Sequence, residues 1–192
     1  MKFVQLVLGI LVIISAANHA MAQTATAGLY LTPDDFLQQK ITYPVECNNG
    51  KDKLKLNDFW GSATGYVISR GEKHAFEKSK VYGYKTCKNE NYRFYQNTAY
   101  RIIDTAGFYV YHRCMQTEQK KGFVKTDTYF FSTQADNTIQ RLNSDNLKKA
   151  FPGNQTFQYA LDAHFRSDKD LVAWDPYNKT YKIKYLYSQS LK

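Results

Sequence analysis

The chain reads as an α+β domain: an antiparallel β-meander (a sheet, a sandwich or a partly open barrel) that follows a short N-terminal helix and precedes C-terminal helices. Three observations predict this. Short runs rich in Tyr, Phe, Val and Ile recur between residues 41 and 133, separated by Asn, Gly or Lys, a spacing too close for βαβ crossovers. Helix-start chemistry lies on both sides of that region, at Thr32-Pro33-Asp34-Asp35 and again after Ser144. Once the predicted leader is removed, 170 residues remain, the size of one domain with its own core.

That leader is the first element. Lys2 is followed by an apolar run, 7–14, broken only by Gly9, and then by small residues ending Ala20-Met21-Ala22. This is the n-region, h-region and cleavage site of a secretory signal peptide over 1–22. The apolar run falls short of the roughly 20 residues that span a bilayer. The mature chain is expected to begin near Gln23, exported to the periplasm or the medium. No cysteine adjoins the cleavage site and no later apolar stretch can cross a membrane, so a soluble protein without a lipid anchor is expected.

In the domain over 23–192, Thr32 can cap a helix running to about Gln39, with Pro33 at its first position and two acids facing the dipole. The strand runs are 41–47, 54–56, 66–69, 74–77, 81–86, 92–95, 99–104, 108–115 and 124–132. Helices return over 144–190. Ser144 caps 145–151, Pro152-Gly153 ends that segment, and Asn154 caps a helix whose Phe157, Ala160, Leu161 and Phe165 follow the 3.6 period. Asp175-Pro176 can open a third helix over 176–188. Tyr177, Tyr181 and Tyr185 fit a helical stripe there, whereas Tyr181, Ile183, Tyr185 and Tyr187 fit a strand; the helix is preferred for its N-terminal chemistry.

Of the three cysteines, Cys47 and Cys87 each close a strand run and precede a polar turn, so they are the favoured disulfide, with Cys114 free. Pairings of Cys114 with either remain open. Closing a loop of 40 residues stabilises the fold by up to about 4 kcal/mol in the chain-entropy model. Net charge is +9, or +8 without Lys2, and no block of five like charges occurs. A diffuse positive charge outside the cytoplasm suits an anionic envelope polymer better than nucleic acid. Lys121-Gly122-Phe123-Val124 begins like an RNA-recognition strand but lacks the aromatics that would follow.

The strings Gly28-Leu29-Tyr30-Leu31-Thr32-Pro33-Asp34-Asp35-Phe36, Lys55-Leu56-Asn57-Asp58-Phe59, Tyr92-Arg93-Phe94-Tyr95 and Leu147-Lys148-Lys149-Ala150-Phe151-Pro152 resemble landmarks of a protein family. It is an uncharacterised family of small secreted proteins from Bacteroidota-type bacteria. The resemblance implies a bacterial, envelope or secreted origin, and no activity or site residue comes with it.

No local motif for catalysis, metal or cofactor binding is present. His74, His112 and His164 form no zinc signature. Gly61-Ser62-Ala63-Thr64-Gly65 lacks the spacing of a nucleophile elbow. His112 and Cys114 alternate onto one face of a strand, where a core-facing stripe with Phe108 and Val110 competes with a nucleophile–base pair. No catalytic residue, metal or cofactor is therefore assigned.

The candidate ligand surface comes from alternation. If 92–95, 99–104 and 108–115 pair as a meander, Tyr92, Phe94, Tyr100, Ile102, Phe108 and Val110 face the core. Arg93, Tyr95, Arg101, Ile103, Tyr109, Tyr111 and Arg113 then face outward. Flat rings beside guanidinium forks can stack sugars and grip carboxylate, sulfate or phosphate. The same pairs can also serve only to stabilise the sheet, at about 0.2–1 kcal/mol each. The expectation is a non-enzymatic, exported binding domain at the bacterial cell envelope whose partner is an anionic glycan or other envelope polyanion. An envelope hydrolase assembled from separate loops and a protein-interaction module are the alternatives.

Overall fold

The computed structural model describes residues 26–57, 61–119 and 122–192; the leader predicted over 1–22 lies outside them. A strand, β1 (Thr26–Tyr30), precedes the first helix, α1 (Pro33–Leu37), whereas sequence reading began the strands after it. Thr32 and Asp35 start α1 as a capping box: Thr32 Oγ1 accepts from Asp35 N and Asp35 Oδ2 accepts from Thr32 N, both at 3.1 Å. There follow β2 (Thr42–Glu46), β3 (Lys53–Lys55), β4 (Thr64–Ser69), β5 (Glu72–Glu77), β6 (Gly83–Lys85), β7 (Asn91–Tyr95), β8 (Thr98–Asp104), β9 (Tyr109–Gln119), β10 (Gly122–Ser132) and β11 (Gln140–Arg141).

Eight of these form one antiparallel sheet in the order β11-β10-β9-β8-β7-β6-β1-β2, and β3-β4-β5 form a second. The run from β6 to β11 is the expected meander. The β7–β8 turn is tight: Tyr95 pairs with Thr98 across Gln96-Asn97, both at positive φ (49° and 60°), as a type I′ hairpin requires. Strands β6 and β7 run unusually close at Gly83, where any Cβ would lie 1.9 Å from the Tyr92 carbonyl oxygen.

The large sheet is covered unevenly. One row crosses its front face, Leu29–Tyr84–Tyr92–Arg101–His112–Tyr129, each paired with the next. At the β1/β6/β7 end of this face the small sheet packs over Ala27, Leu29, Val45, Val67, Tyr84 and Phe94. At the β9/β10 end the C-terminal helices bury Phe108, Val110 and Phe131 with Leu147, Phe157, Leu161 and Ile183. The back face is closed by α1 and the loop over 133–139, through Phe36 and Ile139 packed against Tyr30, Tyr82, Tyr109 and Tyr111.

The C-terminal helices are α2 (Ser144–Ala150), α3 (Gln155–His164) and α4 (Lys182–Gln189). Asn143 rather than Ser144 caps α2, accepting from Asn146 N at 2.7 Å. Asn154 caps α3 as expected, with Phe157 N donating to it at 2.9 Å. Asp175-Pro176 does not open a helix. The Asp175 carboxylate instead accepts from the Tyr177 and Asn178 amides, an Asx-type turn that joins β12 (Trp174–Asp175) to β13 (Thr180–Tyr181). Helix α4 starts only at Lys182, so strand and helix readings each describe part of 176–188. Cys47 and Cys87 form the disulfide, with Cα atoms 5.6 Å apart, and Cys114 is free and exposed. Among the described residues no helix is long and apolar enough to cross a membrane.

Candidate functional site

The six residues expected to share a ligand surface do not form one. A two-residue turn pairs residues of opposite parity, so β8 is flipped relative to the alternation assumed from sequence. Tyr92 pairs with Arg101 and Arg93 with Tyr100. Arg101 and Ile103 therefore lie with the front face, while Tyr100 and Ile102 join Arg93, Tyr95, Tyr109, Tyr111 and Arg113 on the back. The back-face residues are largely interior: Arg93 is 4 % exposed, Tyr109 8 % and Tyr111 0 %. Arg113 stays partly open and lays its guanidinium over the Tyr100 ring, 5.8 Å from the centroid. The cover comes from α1 and the 133–139 loop, not from the helices after Ser144, which pack on the opposite face.

Inside the back face, a hydrogen-bond chain has a fixed direction. Ser132 Oγ donates to the Gln134 carbonyl at 2.6 Å, so the Tyr111 hydroxyl donates to Ser132 Oγ at 2.9 Å. Arg93 Nη1 donates to Tyr111 Oη at 3.1 Å and to Ser132 Oγ at 3.4 Å. Burial raises the Tyr111 phenol, and Arg93 and the hydrogen bonds offset only part of that. This is a structural network that pins three strands together.

The open ground lies on the front face, between its two coverings. A groove of about 410 Å³ runs beneath β3, walled by Ala27, Val45, Leu54, Leu56, Tyr84 and Tyr92 and bordered by Lys53 and Lys55. Alternation in Lys53-Leu54-Lys55-Leu56 builds its upper wall: Leu54 turns inward opposite Val67, and the lysines emerge on the outer side beside the mouth. Neither lysine has an ion-pair partner among the described residues, and both are exposed. The floor is a parallel ring stack of Tyr84 on Tyr92, centroids 4.8 Å apart and 2° from coplanar.

Tyr92 is also the wall of a second pocket, about 200 Å³, with Ala99, Arg101, His112, Arg113 and Cys114. The two pockets share Tyr92 as a common wall and together make up the front-face trough. Arg101 Nη1 donates to Glu90 Oε1 at 2.9 Å, and the Tyr92 hydroxyl donates to Glu90 Oε2 at 3.3 Å. The Arg101 hydrogen bond, outweighing desolvation, holds the Glu90 carboxyl below its ordinary range. Burial, with Glu90 adding to it, raises the Tyr92 phenol. The buried Arg101 Nε has no hydrogen-bond partner among the described residues.

His112 Nε2 lies 2.7 Å from Asp127 Oδ1 across β9 and β10. Cys114 shares this face and makes no hydrogen bond to the imidazole among the described residues, so strand spacing keeps thiol and ring out of reach of each other. Among the described residues no group of three or more His, Cys, Asp and Glu is placed to hold a metal ion. Comparison with protein-family models, curated proteins and solved structures finds no match.

Sequence reading missed the groove. The Lys-Leu-Lys-Leu pattern was legible as a strand with a cationic outer side, but its position over Tyr84 and Tyr92 depends on how two sheets pack.

Proposed function

We propose that this protein is an exported, non-enzymatic binding domain of the bacterial cell envelope that holds an anionic glycan or comparable polyanion in the front-face trough. The observation that carries the reading is the groove under β3: aliphatic and tyrosine walls, an Asp52 carboxylate engaged by the Glu46 and Arg70 amides, and at its mouth two ammonium groups with no ion-pair partner among the described residues. Tyrosine faces suit the apolar faces of sugar rings. Lysine stems are long enough to bring a charge over the edge of the strand to a carboxylate or sulfate. Export is supported by the leader chemistry of residues 1–22 and by the Cys47–Cys87 disulfide, a bond that persists in oxidising compartments. The bacterial assignment rests on the family resemblance of the sequence.

The test uses polygalacturonate as the anionic probe and dextran as the neutral one. Binding to polygalacturonate alone, weakening as sodium chloride screens the charges, is the expected result. Replacing Lys53 and Lys55 together by Ala raises the dissociation constant roughly tenfold, the scale expected for two peripheral charges. Equal affinity of that variant, or equal binding of dextran, overturns the reading. The hydrolase alternative is favoured by one contact, His112 with Asp127. Release of reducing ends from the polymer, lost on His112→Asn, would replace binding by hydrolysis.

A further inference from the structure

The back face holds a buried cation with no ion-pair partner among the described residues. Arg93 is 4 % exposed, and among the described residues no carboxylate lies within 4 Å of it. Both of its hydrogen bonds leave from Nη1 and end on neutral hydroxyls, those of Tyr111 and Ser132. Three ring faces surround the guanidinium, with centroids 5.7 Å away for Tyr82 and Tyr95 and 6.0 Å for Tyr111. They offset part of its charge but accept from none of its in-plane N–H groups. The neighbouring Tyr82 is 7 % exposed, and its buried hydroxyl has no hydrogen-bond partner among the described residues. An orphan donor and an unbalanced cation thus sit together, each costly on its own.

We propose that Arg93 and Tyr82 together form a binding site for a small monovalent anion, a halide or the carboxylate end of a larger ligand, beneath the loop over 133–139. An ion touching both accepts from the guanidinium and from the Tyr82 hydroxyl, and it balances the charge that a water molecule would leave in place. Two opposite charges act on this place, the Arg93 guanidinium and, more weakly on Tyr82, the Asp136 carboxylate. Tyr82 is held protonated chiefly by burial, so its hydroxyl remains a donor at all ordinary pH. Asp136, on the covering loop, is exposed and close enough to act on Tyr82 and Tyr109 electrostatically, yet it forms no ion pair with Arg93. This site is on the opposite face of the sheet from the trough and is independent of it.

Thermal unfolding in sodium chloride, sodium formate and sodium gluconate at constant ionic strength tests the proposal. Chloride raises the midpoint along a saturable curve and bulky gluconate does not. Formate matching chloride assigns a carboxylate site, and chloride acting alone assigns a halide site. Tyr82→Phe, which keeps the ring and deletes only the orphan hydroxyl, raises the half-saturating concentration roughly tenfold, as expected for one hydrogen bond to a charged group. Arg93→Met abolishes the dependence. The same midpoint in all three salts, or an unchanged half-saturation in Tyr82→Phe, overturns the site. Because Arg93→Met can fail to fold, a bromide-soaked crystal of the unaltered protein gives a second readout. An anomalous peak in contact with both Arg93 and Tyr82 upholds the proposal, and its absence at that position refutes it.

Discussion

Lys184 shows how one side chain can tie the C-terminal helix to the sheet. Its Nζ donates to the Ala106 carbonyl at 3.0 Å and to the Phe108 carbonyl, lies 3.4 Å from Asp104 Oδ1, and sits over the Phe108 ring. It is 4 % exposed. Burial lowers its pKa to about 8, with Asp104 pulling the other way. Between pH 8 and the unfolded value near 10.4, the unfolded chain binds more protons than the native one, so this group makes stability rise with pH. The slope approaches about 1.4 kcal/mol per pH unit. We expect the urea midpoint of the protein to climb between pH 8 and 10 and that of Lys184→Met to stay flat there. Above pH 10 the sign reverses. Tyr30, Tyr82, Tyr92, Tyr109, Tyr111 and Tyr181 all have phenols raised by burial, and the stability they contribute below that pH is lost as they ionise.

Among elements, the β6–β7 pair has the least tolerance. Gly83 has room for no side chain, since a Cβ would meet the Tyr92 carbonyl oxygen at 1.9 Å and Arg93 Cα at 3.0 Å. Gly83→Ala must push the two strands apart, at a cost of about 2–3 kcal/mol, and in doing so it opens the Tyr84–Tyr92 stack that floors the groove. Chemical denaturation reads the first effect and near-ultraviolet circular dichroism the second. Gly153→Ala, which meets nothing within 4 Å, is the control and should leave both unchanged. The strands from β2 to β10 were legible in their aromatic and β-branched runs, whereas β1 and the two-residue strands β11, β12 and β13 were not. Helix ends were legible wherever a side chain had one local use, as Thr32 and Asn154 do. Asp175 had two, and the Asx turn prevailed over the cap because its carboxylate reaches two successive amides.

For the molecule as a whole, the disulfide decides whether the trough exists. Cys47 and Cys87 are 40 positions apart in sequence, and the loop they close holds all of β3, β4 and β5, the entire cover over one end of the front face. In the chain-entropy model its closure is worth about 4 kcal/mol. Replacing both cysteines by Ser is expected to cost 2–4 kcal/mol and to speed amide hydrogen exchange over 53–77 first. Polyanion binding should fall with it, while α2, α3 and α4 keep their protection, because their core is a separate cluster around Phe108 and Phe157. Uniform loss of protection across both ends of the sheet would show that the two halves unfold as one.

Local chemistry in the chain by itself determined the α+β class, the order of most strands, the two good helix caps, a preference for the Cys47–Cys87 pairing and a diffuse positive charge. Each of these depends on residues near in sequence or on composition. Only the tertiary structure decided which faces are open. The two-residue turn at Gln96-Asn97 sets the parity of β8, and that parity separates Arg101 from Arg93. The closure of α1 and the 133–139 loop over the back face turned an expected ligand surface into an interior network. The packing of β3 across Tyr84 and Tyr92 made a groove where no motif pointed. Facing and burial depend on contacts between segments distant in sequence, so they follow from the assembled fold and not from any single stretch of it.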